Sequence, residues 1–155
     1  MQETSSKERL LMSVIKQLYV VAGKPVTREN NIYIHYRNKK EYYRIGIVEP
    51  TNNQLDLEDL KLTAFDTDSE GKEPQGIALY RGVDKEGNAV IYYDNKLVIV
   101  KDEQKVVYTD GQRLWLRGTN NFEETLECEG KQIKRFQLTG TYRYRTGSPF
   151  INLYK

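Results

Sequence analysis

The chain has 155 residues, 30% of them charged, with 24 Lys and Arg against 22 Asp and Glu. That length suits one domain, residues 1–155, able to bury most of the surface its unfolded form exposes. A single cysteine excludes an internal disulfide framework, and no apolar run is long enough to span a bilayer. With no charged-then-apolar signal segment at the start, Cys128 reads as a free thiol in a reducing compartment; the expectation is a cytoplasmic protein with no membrane partner.

The charge is unevenly spread. Residues 1–50 carry nine Lys and Arg against five acids, and residues 130–155 carry six against none. Residues 51–76 carry two against seven, and residues 77–129 seven against ten. Basic ends around an acidic middle point to a polyanion, or to ends that face the acidic middle of the same molecule or of a second copy in a homo-oligomer.

In chain order, the first predicted element is an amphipathic α-helix over residues 5–22. Ser5 and Glu8 have capping-box spacing, Leu11, Val14, Ile15, Leu18 and Ala22 recur at helical intervals, and Gly23 and Pro25 supply the stop. From residue 31 to 155 the period is two. The predicted strands are IYIHYR, EYYRIGIV, LKLTAF, IALYRG, AVIYYD, KLVIVK, KVVYTD, RLWLRG, ETLECE, KRFQLTGTYRYR and FINLYK. The fold class is therefore mainly β: one domain in which the helix packs on a strongly bent antiparallel sheet or barrel of roughly 8–11 short strands.

Registers follow from the turns. A four-residue loop with Arg37 opposite Tyr42 pairs Tyr36 with Tyr43, Ile34 with Ile45 and Ile32 with Ile47 on a core face. It leaves Tyr33, His35, Arg44 and Gly46 on a wet one. The stretch IYIHYRNKKEYYRIGIVEP is similar to the opening hairpin of Sm-like WYL domains; the similarity stops with the hairpin, and no functional residue is carried over from it. In KVVYTDGQRLWLRGT, Asp110-Gly111 suits a two-residue hairpin turn placing Val107 opposite Leu114 and Val106 opposite Trp115. Trp115 flanked by Arg113 and Arg117 is a candidate binding hot spot, unless the N-terminal helix covers it. In RFQLTGTYRYR, Phe136, Leu138, Gly140, Tyr142 and Tyr144 share an inner face, while Arg135, Arg143 and Arg145 share the outer one.

The functional expectation is a non-enzymatic binding module. If chain closure brings the last strands beside the first, Arg37, Arg44, Arg135, Arg143 and Arg145 form one basic face with Lys39 and Lys40. Tyr33, Tyr42 and His35 are exposed among them, and the partner is RNA, DNA or an acidic protein surface. The alternative is a barrel that holds a small ligand inside, with Tyr36, Tyr43, Tyr142 and Tyr144 offering hydroxyls.

Catalytic signals are sparse. His35 is the only histidine and Cys128 reads as a small buried hydrophobe. Asp66, Asp68, Glu70 and Gly71 begin like a calcium loop, but Pro74 and Ile77 stand where further ligands belong, so no metal and no cofactor is expected. Asp110 with Glu129 and Lys131 carries the residue types of a metal-dependent nuclease, yet each part falls in a turn.

Overall fold

The computed structural model describes residues 20–21, 24–25, 31–53, 57–67, 73–144 and 151–154. Thirteen strands and one short helix are present among them. They are β1 (Val20–Val21), β2 (Lys24–Pro25), β3 (Asn31–His35), β4 (Glu41–Thr51), β5 (Glu58–Asp66), β6 (Gln75–Val83) and β7 (Ala89–Asp94). There follow β8 (Lys105–Thr109), β9 (Leu114–Gly118), α1 (Thr119–Phe122), β10 (Thr125–Cys128), β11 (Lys131–Lys134), β12 (Phe136–Tyr144) and β13 (Ile151–Tyr154).

Six strands close a barrel in the order β4, β7, β6, β5, β9, β8 and back to β4. Two of its pairings, β4 with β7 and β5 with β9, are parallel, so the expectation of a purely antiparallel sheet is corrected. The closure depends on β4, which changes partner along its length. Its first residues pair with β3, its middle with β8 and its last three with β7. A bulge between Arg44 and Gly46 accompanies the switch, bending the strand where the barrel wall and the outer strands part. Beyond β3 the sheet continues through β12 to β13, which sets the last strands beside the first described long one.

A barrel this narrow has room for side chains only. Ile45, Val48, Ala64, Ile77, Leu79 and Leu116, with no exposed surface, fill the lumen together with the Tyr93 ring. Lys105 is also fully enclosed there, its Nζ 3.8 Å from Asp66 and 3.2 Å from Glu103. Gly118 lies opposite Lys105, and a Cβ at that position would strike the Glu103 carboxylate; the glycine makes room for the acid.

Several sequence expectations are corrected. Val20–Val21 pairs with Lys24–Pro25 as a short hairpin where the last turn of the helix over 5–22 was expected; residues 5–19 lie outside the described residues. KLVIVK is not a strand. Asn95 and Asp102 exchange hydrogen bonds of 2.8 and 2.9 Å, Asp102 adopts φ 63°, and Ile99 donates its N–H to Asp66, closing a loop around an inward Val98. Leu97, Ile99 and Val100 of that loop point outward.

Both hairpin registers move by an even number of residues, which preserves the faces as far as the β4 bulge; beyond it Val48 faces the barrel core and Ile47, expected there, pairs with Val106 instead. In the first, Tyr33 pairs with Tyr42 and Ile32 with Tyr43, and the loop is Tyr36–Lys39, closed by His35 N–H to the Lys40 carbonyl at 3.1 Å. In the second, Thr109 pairs with Leu114, because Asp110 Oδ1 accepts the N–H groups of Gln112 and Arg113 and widens the turn to four residues. The two-residue turn occurs instead at Glu129-Gly130, where both residues have positive φ, 54° and 77°. In β12 Leu138, in register with Phe136 and just before a bulge between Leu138 and Gly140, is 61% exposed rather than inside.

The face of β3 and β4 expected to be wet is a second core. Tyr33, Val106, Tyr108, Phe122 and Phe136 are buried together, with Tyr42 and Trp115 packed against them. Among the described residues, Phe122 of α1 and Phe136 of β12 supply the cover that sequence reasoning assigned to an N-terminal helix.

The Lys105 arrangement yields a test of the barrel interior. Lys105→Met leaves the Asp66 carboxylate enclosed without its cation and is expected to lower the unfolding free energy by about 3–5 kcal/mol. Adding Asp66→Asn recovers at least half of that loss, measured by urea denaturation of the single and double variants.

Candidate functional site

Two buried rings organise the outer core. Phe122 and Phe136 stack with centroids 4.1 Å apart and planes 4° from parallel. Each carries a guanidinium on its other face: Arg44 lies 5.0 Å above Phe122, and Arg117 lies 5.5 Å above Phe136. The result is a column of Arg44, Phe122, Phe136 and Arg117 that ties β4, α1, β12 and β9 together. Tyr33 and Tyr108 pack edge-on against Phe122 at 5.1 and 5.3 Å, and Tyr108, Tyr42 and His35 do so against Phe136.

The two arginines differ in their surroundings. Arg44, 6% exposed, forms an ion pair with Glu123. Arg117 faces a cavity of about 120 Å³ lined by His35, Asn38, Tyr42, Thr67, Tyr108, Trp115 and Phe136. Its Nε donates to the Tyr108 hydroxyl at 3.2 Å and an Nη donates to Asn121 Oδ1 at 2.6 Å, so it is held in place with no carboxylate partner among the described residues. Thr67 donates to the Leu116 carbonyl at 2.8 Å, which leaves its Oγ1 to accept the Tyr108 hydroxyl proton.

The charges meet around His35. Its Nδ1 accepts the Arg37 backbone N–H at 3.2 Å, and the ring pKa falls from 6.5 to about 4, through burial first and then through the field of Arg117, Arg135, Arg37 and Lys39. The imidazole is therefore neutral at pH 7, with its proton on Nε2. Burial also raises the Tyr42 and Tyr108 hydroxyl pKa values, so both stay protonated.

The structure places the other expected site residues as follows. Tyr33 is buried against Phe122, not exposed for stacking. Arg135 donates to the Asn121 carbonyl and, at 3.1 Å, to Glu124. Arg37 rests on the Tyr36 ring and hydrogen-bonds its hydroxyl, while Lys39, at φ 60° in the loop, has no carboxylate partner among the described residues. Arg113 lies 4.8 Å above Phe65, whose ring also approaches Trp115. Lys40 borders a second cavity with Glu41, Asp110 and Gln112, where two carboxylates outnumber the one cation.

Arg143 sits near the far end of β12. Phe136 is opposite His35 and Thr141 opposite Asn31, so Arg143 lies roughly 20 Å along the strand from His35, given about 3.3 Å per residue. The strands are neighbours as expected, with the Arg143 backbone toward the opposite end of β12 from the His35 loop; Arg145 lies outside the described residues.

Asp66 is enclosed beside Lys105 and accepts the Ile99 N–H, while Asp68 and Glu70 lie outside the described residues. Asp110 and the Glu129, Lys131 pair occupy separate hairpins, and no group of three His, Cys, Asp or Glu among the described residues is placed to hold a metal ion. Cys128, in β10, is half-buried rather than interior.

Sequence reasoning did not assign Thr67, Tyr108 or Asn121 to the site. Tyr108 alternates with Val106 on the face that carries Trp115, and that period is the signal it offered. Asn121 lies in the one-turn helix α1 and Thr67 just after β5, and neither carries a comparable pattern. No family model, curated protein or solved structure matches the chain, so the site is read from its own geometry.

The ring column makes a direct prediction. Phe122→Ala removes the central ring and is expected to cost about 3–5 kcal/mol of stability in chemical denaturation. A loss below about 1 kcal/mol means that the column does not hold the outer strands.

Proposed function

We propose that the protein is a non-enzymatic binding module that holds a nucleic-acid strand by its phosphates at the mouth formed by Arg37, Lys39 and Arg117. The observation that carries this reading is the contrast in pairing. Arg44 and Arg135 are answered by Glu123 and Glu124, whereas the three cations at the mouth have no carboxylate among the described residues. Unanswered cations grouped around one loop are an anion site, and a phosphodiester chain is the extended anion that suits them.

Base stacking is not part of this reading. Tyr33 is buried, both faces of Phe136 are occupied by Phe122 and Arg117, and Tyr42 meets its ring neighbours edge-on. Without a free ring face, recognition through the backbone is favoured, with little discrimination among bases. The packed lumen of the barrel offers nothing in favour of an interior ligand. An acidic protein surface presents similar charges, and the salt dependence and competition by nucleic acid separate the two.

Three phosphate contacts to a single strand correspond to a slope of about −2 in log affinity against log salt, a loss of roughly twentyfold between 50 and 200 mM. Labelled single-stranded oligonucleotides followed by fluorescence polarization should show that dependence, with similar affinities for different homopolymers. The Arg37→Glu, Lys39→Glu double variant should bind at least about tenfold more weakly with a shallower slope. Affinity indifferent to salt and to both reversals would overturn the reading.

A further inference from the structure

The cavity that Arg117 lines, next to the loop carrying Arg37 and Lys39, has an unusual balance of hydrogen-bonding groups. Among the described residues, each side-chain acceptor that lines it already has a hydrogen-bond donor. Asn38 Oδ1 accepts the Lys40 N–H at 2.8 Å, and the Tyr42 hydroxyl oxygen accepts Asn38 Nδ2 at 3.1 Å. Tyr108 accepts from Arg117, and Thr67 Oγ1 faces the Tyr108 hydroxyl. The donors are not used up. The Trp115 Nε1–H is buried with no partner, His35 keeps its Nε2–H, Tyr42 keeps its hydroxyl proton, and the second Nη of Arg117 is uncommitted. Among the described residues, no carboxylate lines the cavity.

A buried N–H with no partner costs stability unless something accepts from it, so the missing group is an acceptor. Arg117 in the wall, with Arg37 and Lys39 on the adjoining loop and no carboxylate paired to them among the described residues, favours an anion. Size narrows the choice. About 120 Å³ is well below the roughly 300 Å³ at which pockets begin to enclose a drug-sized ligand, so a whole nucleotide does not fit. The ring contacts exclude a stacked base as well, since Tyr42, Tyr108, His35 and Phe136 meet edge to face and leave no slot between parallel planes.

We propose that this cavity receives a terminal phosphomonoester, so that the protein grips a nucleic-acid strand by its phosphorylated end; the inference rests on the nucleic-acid reading above. A phosphomonoester carries close to two negative charges and three acceptor oxygens, matching the donors of His35, Tyr42, Trp115 and Arg117. An internal phosphodiester has two chain continuations and cannot enter a cavity of this size without carrying a nucleotide in with it. The bulk of the strand then runs out over Arg37 and Lys39.

Trp115 is the only tryptophan in the chain, so its emission reports on the cavity alone. Matched eight-nucleotide strands carrying a 5′-phosphate, a 3′-phosphate or hydroxyls at both ends are titrated while that emission is read, with inorganic phosphate and acetate as competitors. A phosphate-ended strand is expected to bind at least about tenfold more tightly than the hydroxyl-ended strand and to change the emission, and inorganic phosphate to compete in the millimolar range. In polarization measurements with labelled strands, Trp115→Phe should bring the affinity ratio between phosphate- and hydroxyl-ended strands toward one. Thermal denaturation confirms that the variant is folded. Equal affinities for all three strands, with salt-sensitive binding intact, overturn the end-binding inference and leave the proposed function standing. Acetate competing as well as phosphate identifies a carboxylate site and also overturns it. No binding of any strand overturns both.

Discussion

The column of Arg44, Phe122, Phe136 and Arg117 is the interaction on which the outer half of the molecule depends. Stacking two rings buries a large apolar area, and a guanidinium on each outer face adds a cation–π contact of about 0.5–2 kcal/mol. Its members come from four elements, with β4 roughly seventy residues before the contiguous β9 and α1. Packing Phe136 against Phe122 fixes where β12 lies on β3, and therefore where the His35 loop stands relative to Arg117. The site is thus a by-product of a packing decision. Arg117 is held by Tyr108, Asn121 and the Phe136 ring before any ligand arrives, which spares the ordering cost that a free arginine would meet on binding.

The protein handles its charges in three ways. Lys105 and Asp66 are enclosed inside the barrel, where each makes the other tolerable. Arg44 and Arg135 are half-structural, neutralised by the adjacent Glu123 and Glu124 at the end of α1. The cations around the His35 loop have no carboxylate partner among the described residues, and their field adds to burial in holding the neighbouring imidazole unprotonated. A count of basic residues does not distinguish these classes; partners do.

Much of the fold was legible in the sequence, and the exceptions have identifiable causes. Strand alternation gave the faces of β3, β8, β9 and the first part of β4 correctly even where the registers were wrong, since the hairpins shifted by even numbers; past its bulge β4 turns Val48 rather than Ile47 to the core. The shifts themselves came from side-chain hydrogen bonds at Asn38 and Asp110, which re-aim a turn without changing its composition. KLVIVK has the alternation of a strand, but Asn95 and Asp102 bridge its ends and close it into a loop. The interpretation of the Tyr33, His35, Arg44 face failed for a different reason. Its cover, Phe122 and Phe136, arrives from roughly ninety residues downstream, and no local pattern announces a long-range contact of that kind. The flanks of Trp115 were the better guide to the site: Arg117 on one side proved to line the cavity.

The central claim, that the mouth beside His35 is an unneutralised cationic site, is tested most directly by titrating the imidazole itself. As the chain has one histidine, its ring signals can be followed through pH by NMR without ambiguity. The account predicts a midpoint near 4 in the unmodified protein, so that stability declines as pH falls from about 6.5 toward 4, and a rise of the midpoint in Arg117→Gln. A midpoint at the ordinary value of 6.5, unmoved by that substitution, would contradict it.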